Sequence, residues 1–401
     1  MKTSTFAKDI DRNISENSSV YRRLQINYQR NRKQDCTELI DAAARAFCYQ
    51  DCQDKYWQSE EFSLLYGTAL WESATTSQKL ILNHLYWVAY YCQIISAEIA
   101  TIYFNQTSAA GLYAEEDFRL VCDMLDLESS QERAHIHAFK TIAEQVEKAL
   151  FGKRIFTYPM RSPFAETMVF ADTNPFKSRW KQLQLQSFGM LSAGNSFLAC
   201  QYFTVRGIRT LNGKLVQHKL SNFYHSSDEK KTIPIPSQIS YYHFLDESFH
   251  FNSSTIISHD VINCLKPPTK FETWVANLGI KGCQQDHYHF SAAINGIFWY
   301  DPALYRCVYE ILRSPIFSCS NSDAKQMMNR CFTEESEGLH RSFQTHFEAV
   351  ESYKAYLEPL TYIWKSNREM STMSSNSIEK YLKRQKKALS QFMRINDFDN
   401  Y

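Results

Sequence analysis

The chain has 401 residues, 44% hydrophobic and 14% aromatic, enough apolar surface to bury a large core. With only 11 Gly and 10 Pro it disfavours a turn-rich β protein and favours long helices, and its formal net charge of +1 gives no electrostatic case for nucleic acid or an anionic membrane. The 11 cysteines have an odd count and no repeating spacing, and no leader-like or processing segment is visible, which predicts reduced thiols in a cytoplasmic protein.

Residues 1–76 are polar with scattered aromatics and predict a helical extension of short helices, Glu38–Tyr49 among them. Ser77 is the expected N-cap of a long helix reaching about Phe104. Its greasiest run, Leu80 to Phe104, carries Asn83, His84, Gln93 and Glu98, so it predicts a buried helix with polar inner groups and no membrane span. A second helical stretch is expected over Ala114–Phe151, with a candidate interruption at Leu127–Ser130 and a stop at Gly152. Three prolines mark 153–175 as a connection. A third helix is expected over Phe176–Leu211, ended by Asn212-Gly213, followed by a surface excursion over 214–236. Ser237 opens a fourth helix running to about Leu265, before Pro267-Pro268. The expected organisation is a bundle over 77–265, further packed helices and loops over 266–365, and a polar tail over 366–401.

The chemistry concentrates in two Glu-x-x-His pairs, Glu132–His135 and Glu247–His250, with Glu98 in the preceding helix. Residues three apart share a helix face, so each pair can aim a carboxylate and an imidazole at one point. Two such helices, with single carboxylates from two others, build the dinuclear metal site of a ferritin-like bundle, which makes an all-α ferritin-like fold the expectation. His243 lies four residues before Glu247 and seven before His250, adding a third donor to that face. Carboxylate and imidazole donors with open positions suit iron or manganese that activates dioxygen. A third copy of the pattern, Glu337–His340, sits in an acidic run and reads as a decoy. His84 and His137 have a bland reading, a satisfied core histidine and a surface residue, beside a supporting role near the centre. His259, His287 and His289 have no partner at metal-binding spacing, and Cys48-x-x-x-Cys52 carries little signal.

The order Glu98, Glu132-x-x-His135, His243-x-x-x-Glu247-x-x-His250 resembles the p-aminobenzoate N-oxygenase family of diiron proteins, over about residues 77–265. That family would place a glutamate on the third helix, between about 190 and 205, where this chain reads Leu191 to Phe203 without an acid; the nearest acids are Glu166 and Asp172. The departure is similar to the dimetal halogenases of the cylindrocyclophane pathway type, which chlorinate unactivated carbon of fatty acyl chains. In mononuclear iron halogenases a small residue replaces a carboxylate ligand so that halide can bind the metal. On this resemblance Ala193, Gly194 or Ala199 would leave room for chloride, and Gln201 or Asn195 could hold it. The resemblance implies two metal ions, iron or manganese, dioxygen and halide as co-substrates, an electron donor, and an acyl substrate that is free or held by an acyl carrier protein. It leaves a homodimer open. Oxygenation or N-oxygenation of an amine or acyl substrate, and a non-catalytic ferritin-like metal-binding protein, stand as alternatives. The run Lys380 to Lys387 is the densest basic patch; it reads first as a solvated helix face and, on the resemblance, as a dock for an acidic carrier.

Overall fold

The computed structural model describes residues 18–113, 115, 118–156, 175–226, 233–294 and 304–395. Four long helices make the bundle: α4 (Thr76–Leu112), α5 (Arg119–Phe151), α7 (Ser196–His225) and α8 (Ile235–Ile256). Helix α4 packs along α5 and α7, and α8 along α7 and α5, closing the four-helix ring; no strand occurs among the described residues. The fold is an all-α ferritin-like bundle, as the spacing of the two pairs predicts.

The start of α4 is set two residues earlier than Ser77, by a capping box. Thr75 accepts the backbone N–H of Gln78 at 3.3 Å, and Gln78 accepts that of Thr75 at 2.9 Å. From Leu82 to Ser96 nearly every side chain of α4 is buried, because the helix is walled on all sides and has no solvent face to keep polar. No helix among the described residues is long and apolar enough to cross a membrane.

Helix α5 runs unbroken through Leu127–Ser130: the Ser129 hydroxyl donates to the Leu125 carbonyl at 2.7 Å, inside the helix. It ends at Gly152, whose left-handed φ of 67° fits a glycine cap. The expected third helix is two helices, α6 (Pro175–Ala193) and α7, broken at Gly194-Asn195, where Asn195 caps α7 by accepting the Leu198 N–H at 2.9 Å. Helix α7 then passes through Asn212-Gly213 and takes up much of the expected 214–236 excursion. Helix α8 continues past Ile256 through a π-helical turn (Ile257–Val261) to Cys264.

Outside the ring, α1 (Ser19–Gln34) lies across α8 and α5, and α2 (Thr37–Ala46) packs on α5 and α8. A 3₁₀ turn (Tyr49–Asp51) and the short α3 (Ala69–Ser73) lead into α4. On the far side, α9 (Lys270–Ile294) packs on α7 and on the later helix Glu337–Leu357. Then follow α10 (Tyr305–Arg313), α11 (Asn321–Thr333), α12 (Glu337–Leu357), the short α13 (Lys365–Arg368) and α14 (Ser371–Ser374), and α15 (Ile378–Ile395). The sequence expected a polar, weakly patterned tail from 366; α15 is instead amphipathic, seating Tyr381, Gln385 and Leu389 against the protein.

Candidate metal centre

Four turns of three helices place the donors. Glu98 comes from α4, Glu132 and His135 from α5, and His243, Glu247 and His250 from α8. Each pair sits on the inner face of its helix because apolar neighbours at helical spacing (Leu125, Phe139, Ile142 on α5; Ile239, Ile256 on α8) seat that face in the core. All six converge. The Glu98 Oε1 is 3.1 Å from His243 Nε2 and 3.6 Å from His135 Nδ1. Glu132 spans the cluster, with Oε2 3.3 Å from His135 Nδ1 and Oε1 3.3 Å from His250 Nδ1. The Glu247 Oε1 likewise lies 3.0 Å from His250 Nδ1 and 3.6 Å from His243 Nε2. The ligand atoms form two overlapping groups, Glu98/His135/His243/Glu247 and Glu132/Glu247/His250.

The donor set fits a pair of metal ions on its own chemistry. Both Glu98 oxygens and both His243 nitrogens are buried without a hydrogen bond, although Glu98 and His243 approach to 3.1 Å. Contact without alignment is what donors aimed at a shared third atom produce, and orphaned buried polar atoms are otherwise costly. The electrostatics agree. Burial opposes charge on His135 and His250, yet the surrounding carboxylates hold both imidazoles well above their usual range. The same burial pushes Glu98 up, while against it His250 and His243 hold Glu247 well below the usual carboxylate range.

Behind the cluster, His135 and His250 are each oriented through the other ring nitrogen. His135 Nε2 donates to Asp246 Oδ2 at 3.1 Å, and His250 Nε2 donates to Gln131 Oε1 at 2.9 Å. That tautomer leaves each Nδ1 lone pair facing the glutamates. Asp246 also accepts the Cys36 N–H at 3.2 Å, and Gln131 exchanges hydrogen bonds with Asn31 of α1 at 2.8 and 3.1 Å. Sequence reasoning missed these residues, but a signal existed. The residue before the glutamate of each pair, Gln131 or Asp246, orients the histidine of the opposite pair, so the repeat is five residues long. A buried ion pair was missed as well: Arg206 of α7 meets Glu128, one turn before Glu132, at 2.7 Å.

Other expected residues lie elsewhere. Ala199 is on the face of α7 that meets Gly111, and Gly111 is 13 residues beyond Glu98 on α4, about 20 Å away at 1.5 Å per residue. Gly194 is exposed in the α6–α7 turn, and Ala193 ends α6 beside it. The physical reason is register: α4 and α7 run antiparallel, so the centre lies further along α7 than the 190–205 window. Gln201 faces away, accepting from the Tyr362 hydroxyl at 2.6 Å, and Asn195 is the α7 cap, donating to Glu272 at 2.7 Å. His84 does not orient Glu98; its ring stacks on Trp57 at 4.2 Å and bonds Tyr49 and the Lys55 carbonyl. His137 is exposed. Glu337 and His340 are exposed on α12, paired with Arg341 and Glu335. Glu166 and Asp172 lie outside the described residues, as do the side chains of His287 and His289.

Neither curated proteins nor solved structures give a match. The family model described as acyl halogenase CylC-like matches residues 19–393, from the first turn of α1 to the last turns of α15. An all-helical bundle with a buried carboxylate–histidine cluster, matched along nearly its whole length, belongs to the CylC-like acyl halogenase family and is an enzyme of that class.

Proposed function

We propose that this chain is a dimetal halogenase that places a halogen, chlorine in the first instance, on an unactivated aliphatic carbon of a fatty acyl group held by an acyl carrier protein. The observation that carries the reading is the buried convergence of Glu98, Glu132, His135, His243, Glu247 and His250 in a chain of the acyl halogenase family. Glu98, His135 and His243 would hold one ion and His250 the other, with Glu132 and Glu247 shared. Two bound iron or manganese ions would supply the redox chemistry by which dioxygen and halide functionalise carbon, with electrons from an external donor. The chain's own residues do the rest. Asp246 and Gln131 fix the tautomers of His135 and His250, keeping each Nδ1 available. Phe139 and Tyr91, packed on each other and on His243, shield the cluster from bulk water on the α4–α5 side. The partner assignment is supported by α15, where Lys383, Lys386 and Lys387 are exposed while Lys380 donates to the Ser375 carbonyl.

The test is product analysis by mass spectrometry after metal-loaded protein, dioxygen and a reductant meet a fatty acyl substrate, carrier-bound or free, in chloride and then in bromide. A halogen-dependent mass shift on the carrier-bound chain is the expected result. Hydroxylation alone, indifferent to halide, refutes halogenation while leaving the dimetal centre standing.

A further inference from the structure

The cluster is lopsided. One group has Glu98, His135 and His243 to itself; the other has His250 and Glu132, whose second oxygen reaches across to His135, and Glu247 belongs to both. The poorly furnished side can be placed from helix register. Along α4, Asn105 meets Arg206, and Tyr90 comes alongside Gln217, so Glu98 falls level with the turn between them. Along α8, Phe251 meets Lys214 and Phe244 meets His218, which puts His250 and Glu247 level with the same turn. Arg206, Thr210, Gly213 and Gln217 form one stripe of α7, at i, i+4, i+7 and i+11. Gly213 therefore faces the centre on the side of His250.

Gly213 is not a packing glycine. A Cβ built on Gly207 would collide with the Tyr356 hydroxyl, but one built on Gly213 meets nothing nearer than Gln217 Nε2 at 4.0 Å. In the middle of a helix glycine is destabilising relative to alanine, and no neighbour here demands it. What it supplies is space. That space reaches solvent: Glu247 has the most exposed side chain of the six donors, 12% against 5% or less, and Thr210, Gly213, Lys214 and Phe251 are half-buried. A cation stands beside it. Lys214 holds its ammonium 4.7 Å from the centre of the Phe251 ring, and Phe251 is one turn beyond Glu247 on the same face of α8. Lys214 makes no ion pair among the described residues, and burial lowers its basicity.

We infer that the halide binds in the space at Gly213, on the open side of the ion held by His250, with Lys214 as its counter-charge. The inference rests on the dimetal halogenase reading and names the site that reading lacks. It is tested by titrating bromide into full-length protein loaded with Co(II), following the cobalt visible absorption. The wild type should bind two cobalt ions and show a saturable bromide response. Gly213→Glu should keep both ions and lose the response, and Gly213→Ala, which keeps the helix, should weaken it. Lys214→Met should raise the bromide dissociation constant roughly tenfold or more through loss of a nearby opposite charge. Gly194→Glu adds the same charge at the exposed α6–α7 turn and should titrate like the wild type. The inference is overturned if metal-loaded wild type ignores bromide, or if Gly213→Ala and Lys214→Met both titrate like it. A wild type that binds no cobalt would instead sink the dimetal reading itself.

Discussion

Arg206→Leu strips Glu128 of its one ion-pair partner among the described residues. The guanidinium is 5% exposed, donates to Asn105 at 3.2 Å and lies 2.7 Å from Glu128, whose side chain is 1% exposed. Burial opposes the charge on Arg206, but Glu128 foremost, then Tyr202 and Glu132, hold its basicity above the usual arginine range. Breaking a buried pair from one side costs about 3–5 kcal/mol, because the remaining charge is left desolvated and unpaired. With an unfolding entropy of roughly 2.1 cal/mol/K per residue over the whole chain, the loss corresponds to a Tm fall of roughly 4–6 °C. Glu128→Leu/Arg206→Leu, which removes both charges, should come back to within about 2 kcal/mol of the wild type. The assay is thermal unfolding of the metal-free protein, so that metal linkage does not mask the difference. A single variant within about 1 kcal/mol of the wild type would show that the pair is not desolvated. A double variant costing the sum of the two singles would show that the two groups do not interact.

Three further outcomes follow from the same structure. Gly213→Ala should stabilise the protein by about 0.5–1 kcal/mol in urea, because a Cβ there meets only open space, whereas Gly207→Ala should destabilise it by about 1–3 kcal/mol through collision with Tyr356. Burial, opposed by the bond to the Lys55 carbonyl, lowers His84 to about 4 from 6.5, so the unfolded chain binds a proton there that the folded chain refuses. The stability His84 preserves is whole above pH 6.5 and lost as pH falls towards 4, at about 1.4 kcal/mol per pH unit, so urea midpoints of His84→Gln should fall less steeply across that window. Reversing Lys383, Lys386 and Lys387 to Glu should slow turnover of a carrier-bound substrate, most at low ionic strength, with no change in metal content; turnover indifferent to both charge and salt would make the patch a solvated face.

The donors were legible because helical geometry converts spacing into direction. Glu-x-x-His and His-x-x-x-Glu-x-x-His name one face of one helix without any knowledge of the neighbours. The α7 side of the cluster was not legible, because it depends on register between α4 and α7, which no local spacing encodes. The error had two sources. Gly194-Asn195 breaks the helix where the sequence pattern runs on, and Asn212-Gly213 has the look of a stop although α7 runs on to His225. The second is instructive: a glycine that ordinarily signals the end of a helix sits inside one, at the level of the metal donors. Local propensity loses there because the packed ring of α4, α5 and α8 holds α7 in place. Thr75 outranks Ser77 as the α4 cap for a local reason, since only Thr75 has a glutamine three residues on to complete the box. Asp246 and Gln131 escaped notice because each orients a histidine on another helix, a tertiary contact that neither segment reveals alone.

On the proposed reading, six side chains from three helices hold two metal ions. Metal content per chain, measured by elemental analysis after anaerobic reconstitution with Fe(II) or Mn(II), addresses it most directly, across wild type, Glu132→Ala, Glu247→Ala and Glu337→Ala. Two ions are expected in the wild type and in Glu337→Ala, whose side chain pairs with Arg341 on the surface, and loss of the pair in the other two, since each lacks a carboxylate that reaches both groups of donors. Fewer than one ion per chain in the wild type, or loading that is indifferent to Glu132→Ala, would contradict it.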